Sequence, residues 1–360
     1  MRHVVARLAV LVLVAGCAGT ASPTQPARPA STPAPTPPVI ATPAPAPTPA
    51  QTRTPAPTPT AAPTIGQAAD DGARIIAVDS PSLNGSAPVT RARDLTIDSP
   101  AVGRVKVRLL LPAKFDAQPE TRWPVLYLLH GGGGKYSDWT ELFDVEALTA
   151  PTDLLVVMPD AGIGWYSDWW NGGIGGRPMW ETFHLVELRQ LIERNWQAGD
   201  RRAIAGMSMG GYGAMEYATR QPGTFLFAGS FSGPVDPLHG NAWLCQYADR
   251  PVWGDPVAQA DVWKAHDPTA NAQELKGTAL FVAYGNGEVG PLDNGKPSPW
   301  DPAGETEREI GLQGAAFVHR LKELKIPVTA YAYGNGTHFE PYFSRDLQRS
   351  FPLFLTALGE

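Results

Sequence analysis

One serine in this chain stands in a pattern that is typical of a catalytic nucleophile. Residues 206–210 read Gly-Met-Ser-Met-Gly, with Ser208 at the centre of a G-x-S-x-G motif. The run 201–208 predicts the end of a strand, and the run 209–220 predicts a helix. At such a turn the flanking glycines relieve crowding around a strained serine. The pattern therefore predicts a nucleophilic Ser208, the alternative being a glycine-rich turn in which the serine caps a helix.

A serine nucleophile requires a base, and at such a turn the order along the chain is serine, acid, histidine. The histidines that follow Ser208 at a useful distance are His266, His319 and His338, with His239 rather close. His319 lies within a helical pattern, and His266 lies in a loop that could be structural. His338 follows the last predicted strand, in the segment YGNGTHFEPYF. We therefore expect His338 to act as the base, the alternative being a surface-loop histidine.

The acid that would orient this histidine is less well defined by position. Several carboxylates follow the predicted strand at 277–287, and position alone does not choose among them. They are Glu288, Asp293, Asp301, Glu305 and Glu307. The acid must hold the imidazole in one tautomer and stabilise its charged form.

Acyl chemistry at a serine also needs donors for the negative oxygen of the intermediate. The N–H that follows the nucleophile belongs to Met209, at the start of the predicted helix. A second donor should come from the loop after an earlier strand, and LLHGGGGKYSDW at 128–139 supplies such a loop. Its glycines let backbone amides turn inward without obstruction by side chains. We expect Gly132 to be this donor, the alternative being a flexible turn.

The elements that would position these residues alternate between strands and helices. Helical periodicity is clear at 180–196 and at 307–324. The apolar runs that predict strands are 104–112, 123–131, 153–160, 201–208, 225–233, 277–287 and 326–336. Several of these runs are continuous rather than alternating, which is typical of strands covered on both faces. The sequence predicts an α/β fold with a mostly parallel central sheet and helices on both faces.

The amino terminus differs in composition from the rest of the chain. Residues 1–16 combine a basic start with a short apolar run, which indicates a lipoprotein-type signal peptide that ends before Cys17. We expect Cys17 to be lipidated, the alternatives being a plain secretory signal or a membrane anchor. Residues 17–65 are rich in proline, threonine and alanine and predict a disordered, extended linker. Residues 66–360 are globular in composition and fit one domain.

Composition argues against several other classes of protein. The formal net charge of -6 provides no basic stripe for nucleic acid. We find no metal-binding motif and no nucleotide-binding loop, and we expect neither a metal nor another cofactor. Membrane contact is expected only through the lipid on Cys17. Cys245 stands among apolar neighbours and is interpreted as a partly buried thiol.

Taken together, these motifs resemble the esterase D / antigen 85 branch of the α/β-hydrolase superfamily. The segments LYLLHGG, WYSDWW, WETF, GMSMGG and GTH occur in the order of that family, and the resemblance covers residues 90–360. It implies the α/β-hydrolase fold, Ser208 as nucleophile, His338 as base, and Gly132 and Met209 as oxyanion donors. In antigen 85-like members the acid is a glutamate at the start of the helix before the last strand, which favours Glu307 over its neighbours.

The chain also departs from the mycolyltransferase pattern. After the methionine that follows the nucleophile, those enzymes carry alanine, glycine and serine, whereas this chain has Gly210-Gly211-Tyr212-Gly213. In addition, His338 is followed by Phe339-Glu340. These differences favour a general esterase. We therefore expect an exported serine carboxylesterase that cleaves small-molecule or polymer esters. Acyl transfer to a sugar and non-catalytic surface binding are the alternatives.

A cluster of aromatic residues follows the predicted strand that ends at Asp160. Trp165, Tyr166, Asp168 and Trp169 would then lie at the same sheet edge as Ser208, where α/β folds bind ligands. We expect these four residues to contact an acyl chain or a sugar, the alternative being packing in the core or beneath a lid.

Overall fold

The computed structural model describes residues 65–81, 91–172, 178–239 and 252–360. The predicted signal peptide, Cys17, almost all of the proline-rich linker and Cys245 lie outside these ranges. No helix among the described residues is both long and apolar enough to cross a membrane.

Nine strands of the described chain form a single sheet. They are β1 (Arg74–Asp79), β2 (Ala92–Ser99), β3 (Gly103–Leu110), β4 (Trp123–Leu129), β5 (Leu155–Pro159), β6 (Ala198–Met207), β7 (Phe227–Phe231), β8 (Ala279–Tyr284) and β9 (Thr329–Ala332). Their order across the sheet is β1-β2-β3-β5-β4-β6-β7-β8-β9. The first three pairings in this order are antiparallel, and the others, from β5-β4 to β8-β9, are parallel. The prediction of a mostly parallel sheet is confirmed.

Helices connect the strands. They are α1 (Asp138–Leu142), α2 (Val145–Thr149), α3 (the consecutive segments Trp180–Thr182, Phe183–Leu188 and Arg189–Asn195), α4 (Met209–Arg220), α5 (Ala260–Ala265), α6 (Glu305–Glu323) and α7 (Glu340–Leu358). Short 3₁₀ turns lie at Trp170–Gly172 and Ala272–Leu275. The middle segment of α3 is a π-type turn, which the sequence periodicity did not reveal.

The helices cover both faces of the sheet, as predicted. Strand β4 is buried along its whole length, and its side chains alternate between two hydrophobic clusters. One cluster packs the strands against α3, α4 and α6, and the other packs them against α1, α2 and α7. Burial on both faces explains why the parallel strands read as continuous apolar runs.

The seven strands predicted from apolar runs are β3 to β9, whereas β1 and β2 were missed. Strand β2 reads ARDLTIDS, in which Asp94, Thr96 and Asp98 alternate with Leu95 and Ile97. Arg108 of β3 reaches across to Asp94 of β2 in a buried two-bond ion pair, with nitrogen–oxygen distances of 2.7 and 2.8 Å. Antiparallel strands with one polar face lack the continuous apolar signal, because part of each strand is paired through charge.

Candidate active site

Ser208 occupies a sharp turn between β6 and α4. Its backbone has φ 54° and ψ −124°, and a positive φ is uncommon for a residue with a side chain. Hydrogen bonds hold it there. Its N–H donates to the carbonyl of Phe231 at 2.8 Å, and its own carbonyl accepts from Gly211 N at 2.8 Å. The turn presents the hydroxyl at the carboxyl edge of the sheet, where a side chain can meet a ligand.

Glycines make this turn sterically possible. A Cβ at Gly206 would lie 2.2 Å from the carbonyl oxygen of Gly210, and a Cβ at Gly210 would lie 2.3 Å from that of Leu129. Both distances are far below van der Waals contact, and the obstructing atoms belong to the backbone. The two outer positions of the G-x-S-x-G motif therefore have a packing cause in this chain.

The structure brings the predicted base and the favoured acid to the serine. The Nε2 of His338 lies 2.9 Å from Ser208 Oγ, and its Nδ1 lies 2.7 Å from Glu307 Oε2. In this arrangement the serine hydroxyl donates to Nε2, and Nδ1–H donates to the carboxylate. Glu307 is fully buried, and the side chain of His338 is 12% exposed. This order and geometry match the requirements of a serine–histidine–carboxylate triad.

Glu307 has three further partners, which sequence reasoning missed. Its Oε1 accepts hydrogen bonds from Ser232 Oγ at 2.8 Å, from the N–H of Gly285 at 2.7 Å and from Tyr333 Oη at 3.0 Å. Each donor directly follows the carboxyl end of a strand, namely β7, β8 and β9. Their positions directly after predicted strands were the signal in the sequence that could have found them, because parallel strands end at one edge of the sheet.

The glycine-rich loop after β4 lies beside the serine. A Cβ at Gly131 would be 3.4 Å from Ser208 Cβ, so the loop backbone packs directly on the nucleophile position. Gly132 follows and is exposed. His130 anchors the loop, since its Nδ1 lies 2.7 Å from the carbonyl of Gly131 and its Nε2 lies 2.9 Å from Ala161 N. Met209 provides the first N–H of α4, where helix amides have no partner within the helix.

The other candidate acids and bases lie elsewhere. His319 is exposed on α6, and His266 is buried with its Nδ1 2.5 Å from Glu216 Oε1. Glu305 is exposed at the start of α6. The carboxylate of Asp293 is buried and accepts from Tyr342 Oη at 2.8 Å. The structure therefore brings Glu307, and not these carboxylates, to His338.

The four residues expected to bind substrate have structural contacts instead, and that expectation is corrected for Tyr166 and Trp165. Tyr166 is fully buried and donates from its hydroxyl to the carbonyl of His130 at 2.9 Å. The ring of Trp165 is buried and packs edge-on against Tyr212 at 5.7 Å. Both side chains pack within the core beside α4 and expose almost no surface.

Asp168 and Trp169 are half-buried and also serve the fold. The carboxylate of Asp168 accepts from the N–H of Thr182 at 2.9 Å and from its hydroxyl at 2.6 Å, which ties the loop to α3. The indole N–H of Trp169 donates to the carbonyl of Gly164 at 3.1 Å. The two bonds of Asp168 hold the loop after β5 against α3, and the bond of Trp169 lies within the loop itself.

One buried cluster has the residue types of a metal site. Glu181, Glu216 and His266 each offer a ligand atom, and these atoms lie within 4.8 Å of one another. Arg220 already supplies positive charge there, because its Nε lies 2.8 Å from both carboxylate oxygens of Glu181. The cluster therefore has the contacts of an internal ion-pair network that joins α3, α4 and the residue after α5.

Comparison with known proteins identifies the family of this chain. The "Putative esterase" family model matches residues 100–353. The chain belongs to this esterase family. It is thus a member of the esterase / antigen 85 branch of the α/β-hydrolase superfamily.

The relatives include esterases and acyltransferases of mycobacteria. Esterase Rv1288 of Mycobacterium tuberculosis is 32% identical over 251 residues, which are 65% of this chain and 53% of the relative. The chain thus spans about half the length of that relative. The diacylglycerol acyltransferase/mycolyltransferase Ag85A of Mycobacterium leprae is 30% identical over 231 residues, which are 58% of this chain and 67% of Ag85A.

Solved structures share the fold. MPT51 of Mycobacterium tuberculosis superposes with a TM-score of 0.62 at 24% identity, covering 76% of this chain and 100% of MPT51. An S-formylglutathione hydrolase from Agrobacterium tumefaciens superposes with a TM-score of 0.61 at 17% identity, covering 77% of this chain and 99% of the hydrolase. At these identities the likeness supports the fold alone.

Proposed function

We propose that this esterase-family chain is an exported serine carboxylesterase with Ser208 as nucleophile, His338 as base and Glu307 as acid. The observation that carries the proposal is the unbroken hydrogen-bond chain from Ser208 Oγ through both ring nitrogens of His338 to Glu307 Oε2. The deep burial of Glu307 supports its role, since a carboxylate held by four hydrogen bonds keeps the imidazole in one tautomer.

The proposed reaction has two halves. Ser208 Oγ attacks the ester carbonyl while its proton passes to Nε2 of His338, and the negative oxygen of the tetrahedral intermediate lies between the amides of Met209 and Gly132. Collapse breaks the bond to the alcohol, which receives the proton from His338. Water then gives a proton to His338 and attacks the acyl-enzyme. The second collapse releases the carboxylic acid and returns the proton to Ser208.

Exposed apolar side chains support an ester with an apolar part. These side chains lie in segments that follow the carboxyl ends of β4, β5 and β8, and they are Leu142, Ile163, Trp170, Val289 and Trp300. Trp300 is 67% exposed, and its indole N–H donates to Glu340, two residues beyond His338, at 3.1 Å. Apolar side chains in segments that follow these strand ends suit the burial of an acyl chain or a ring.

Hydrolysis of a chain-length series tests the proposal. The full chain and Ser208→Ala would be assayed on p-nitrophenyl acetate, butyrate and octanoate and labelled with a fluorophosphonate. We expect turnover and labelling by the wild-type chain and loss of both in the variant, which lacks the attacking oxygen. A wild-type chain that is neither active nor labelled would contradict the proposal and favour a non-catalytic, surface-binding protein.

Acyl transfer to a sugar is the second candidate, and the acyltransferase relatives favour it. The same acyl-enzyme would form, and a sugar hydroxyl instead of water would attack it. The ratio of free acid to acylated sugar, measured with and without added trehalose, separates the two. We expect free acid to dominate. Acylated sugar as the main product would make the chain a transferase.

We also propose that the chain is exported and anchored through a lipid on Cys17. The support is the short apolar run that ends at Gly16-Cys17 and the proline-rich segment after it. Cys17→Ala should abolish incorporation of a palmitate probe in a bacterial host and release the chain from membranes. Cys245→Ala is the matched control and should keep both. Equal labelling of the two variants would overturn the anchor.

A further inference from the structure

Two tyrosines stack on each other beside the proposed catalytic residues. The rings of Tyr333 and Tyr342 have centroids 5.0 Å apart and an angle of 11° between their planes. The guanidinium of Arg345 lies 4.1 Å from the ring centroid of Tyr333 and 4.9 Å from that of Tyr342. Asp346 holds this guanidinium with nitrogen–oxygen distances of 2.8 and 3.0 Å. The two rings are thus parts of one packed unit.

The two hydroxyl groups donate to two different buried carboxylates, one of which is the proposed acid. Tyr333 donates to Oε1 of Glu307 at 3.0 Å, which is the oxygen that His338 does not use. Tyr342 donates to Asp293 Oδ2 at 2.8 Å.

Asp293 links the second tyrosine to the base. Its Oδ1 accepts a hydrogen bond from the hydroxyl of Thr337, the residue that precedes His338. Its Oδ2 also accepts from the N–H of Gly290 at 2.7 Å, and the carboxylate is buried. Tyr342 therefore acts on the backbone segment that carries His338, through a buried carboxylate.

We propose that the stacked pair Tyr333 and Tyr342 is a positioning device that sets the distance between Glu307 and His338. This inference rests on the proposed function, because it assigns the pair a role only if those two residues act as acid and base. Neither tyrosine touches the reacting atoms, so both are positioning residues. Because the rings are stacked, a shift of one tyrosine hydroxyl also shifts the other. Small changes in the distance between Glu307 and His338 should then lower the rate, since catalysis tolerates little displacement of the acting groups.

Two further observations suit this role. Burial raises the pKa of the Tyr333 hydroxyl well above its ordinary value, and burial together with the bond to Asp293 raises the pKa of Tyr342 to about 12. Both hydroxyls therefore remain protonated donors at neutral pH. A cation on the ring face adds a favourable contact that does not consume the hydroxyl.

The test compares three Tyr→Phe variants of the full chain on p-nitrophenyl butyrate. Tyr333→Phe keeps the stacked ring and removes the donor to Glu307. We expect kcat to fall about tenfold with unchanged KM, the size expected when one hydrogen bond to a charged group is lost in the transition state. Tyr342→Phe should lower kcat about threefold through Asp293, a smaller loss because Gly290 still holds that carboxylate.

Tyr331→Phe is the matched control. Tyr331 lies on β9, two residues before Tyr333, and the guanidinium of the same Arg345 lies 4.9 Å from its ring centroid, but its hydroxyl makes no hydrogen bond within the described residues. This variant should keep wild-type kcat, and all three should keep the wild-type melting temperature within a few degrees. The split between kcat and KM distinguishes positioning from substrate binding.

Several outcomes would overturn the inference. Wild-type kcat in both Tyr333→Phe and Tyr342→Phe, an equal loss in Tyr331→Phe, or a loss that follows the melting temperature would each do so. If Tyr333→Phe does not fold, Tyr342→Phe decides by itself. These outcomes are distinct from failure of the proposed function, which would appear as a wild-type chain without turnover or fluorophosphonate labelling.

Discussion

At the scale of single residues, the burial of Glu307 is the feature that sets the proposed chemistry. Its two carboxylate oxygens have different partners. Oε2 accepts a hydrogen bond from His338, and Oε1 accepts hydrogen bonds from three other donors. The main-chain N–H of Glu307 adds a contact to Asp301 at 3.2 Å. A carboxylate fixed in this way can stabilise the imidazolium that forms when the serine gives up its proton.

Glu307→Gln should test this role. The amide keeps the shape but not the charge, so we expect kcat on p-nitrophenyl butyrate to fall by roughly a factor of 10⁴, as expected when a triad carboxylate becomes an amide. Glu305→Gln is the matched control on the same helix, because its side chain is exposed, and it should keep wild-type kcat. Full activity in Glu307→Gln would move the acid to another carboxylate.

At the scale of elements, the nucleophile depends on how closely α4 approaches the sheet. The turn from β6 to α4 passes against the end of β4, where the carbonyls of Leu129 and His130 lie next to Gly210. Tyr166, which lies in the loop after β5, packs against Gly213, one turn further along the same face of the helix. The turn at Ser208 thus depends on the ends of three strands, β4, β5 and β6, rather than on the local motif alone.

Gly210→Ala and Gly132→Ala should therefore differ in stability. The methyl at Gly210 would meet two backbone carbonyls within 2.7 Å, so we expect a loss of about 3 kcal/mol or more in the free energy of unfolding. A methyl at Gly132 meets nothing within 4 Å, and that variant keeps its N–H. Urea unfolding should find Gly132→Ala within about 0.5 kcal/mol of the wild type. Equal losses would contradict the packing explanation.

At the scale of the whole molecule, several titratable side chains are buried in the core and make stability depend on pH. His184 of α3 is buried, with its Nδ1 2.7 Å from the Tyr217 hydroxyl and its Nε2 3.0 Å from the carbonyl of Asp160. Burial lowers its pKa to about 3. Burial raises the pKa values of Glu187 and Asp346 to about 7. These two carboxyl groups therefore lower the stability of the folded state as the pH rises, which is opposite to the effect of His184.

The pH dependence of unfolding should reveal His184. The unfolded chain binds a proton at this histidine near its ordinary pKa of about 6.5, whereas the folded chain does so only near 3. The folded state therefore loses stability as the pH falls through this window. His184→Gln can keep one donor and one acceptor but removes the titration. We expect its free energy of unfolding to fall less steeply between pH 6.5 and 4.

The comparison with the wild type isolates His184, because Glu187 and Asp346 titrate in both chains. His319→Gln is the control, since its side chain is 75% exposed and should have no such effect. Urea unfolding at several pH values provides the measurement. Parallel curves for His184→Gln and the wild type would show that the buried histidine does not govern acid stability.

The amino-acid sequence alone predicted the fold class, seven strands, Ser208 as nucleophile and His338 as base. It could do so because continuous apolar runs and a G-x-S-x-G turn are local signals. It left the acid open among five carboxylates, and only the family resemblance favoured Glu307. The tertiary structure decided what depends on non-local contacts. It brought Glu307 to His338 across 31 positions and gathered Ser232, Gly285 and Tyr333 around the acid. It also buried Trp165 and Tyr166, because parallel strand ends converge in space and not in sequence.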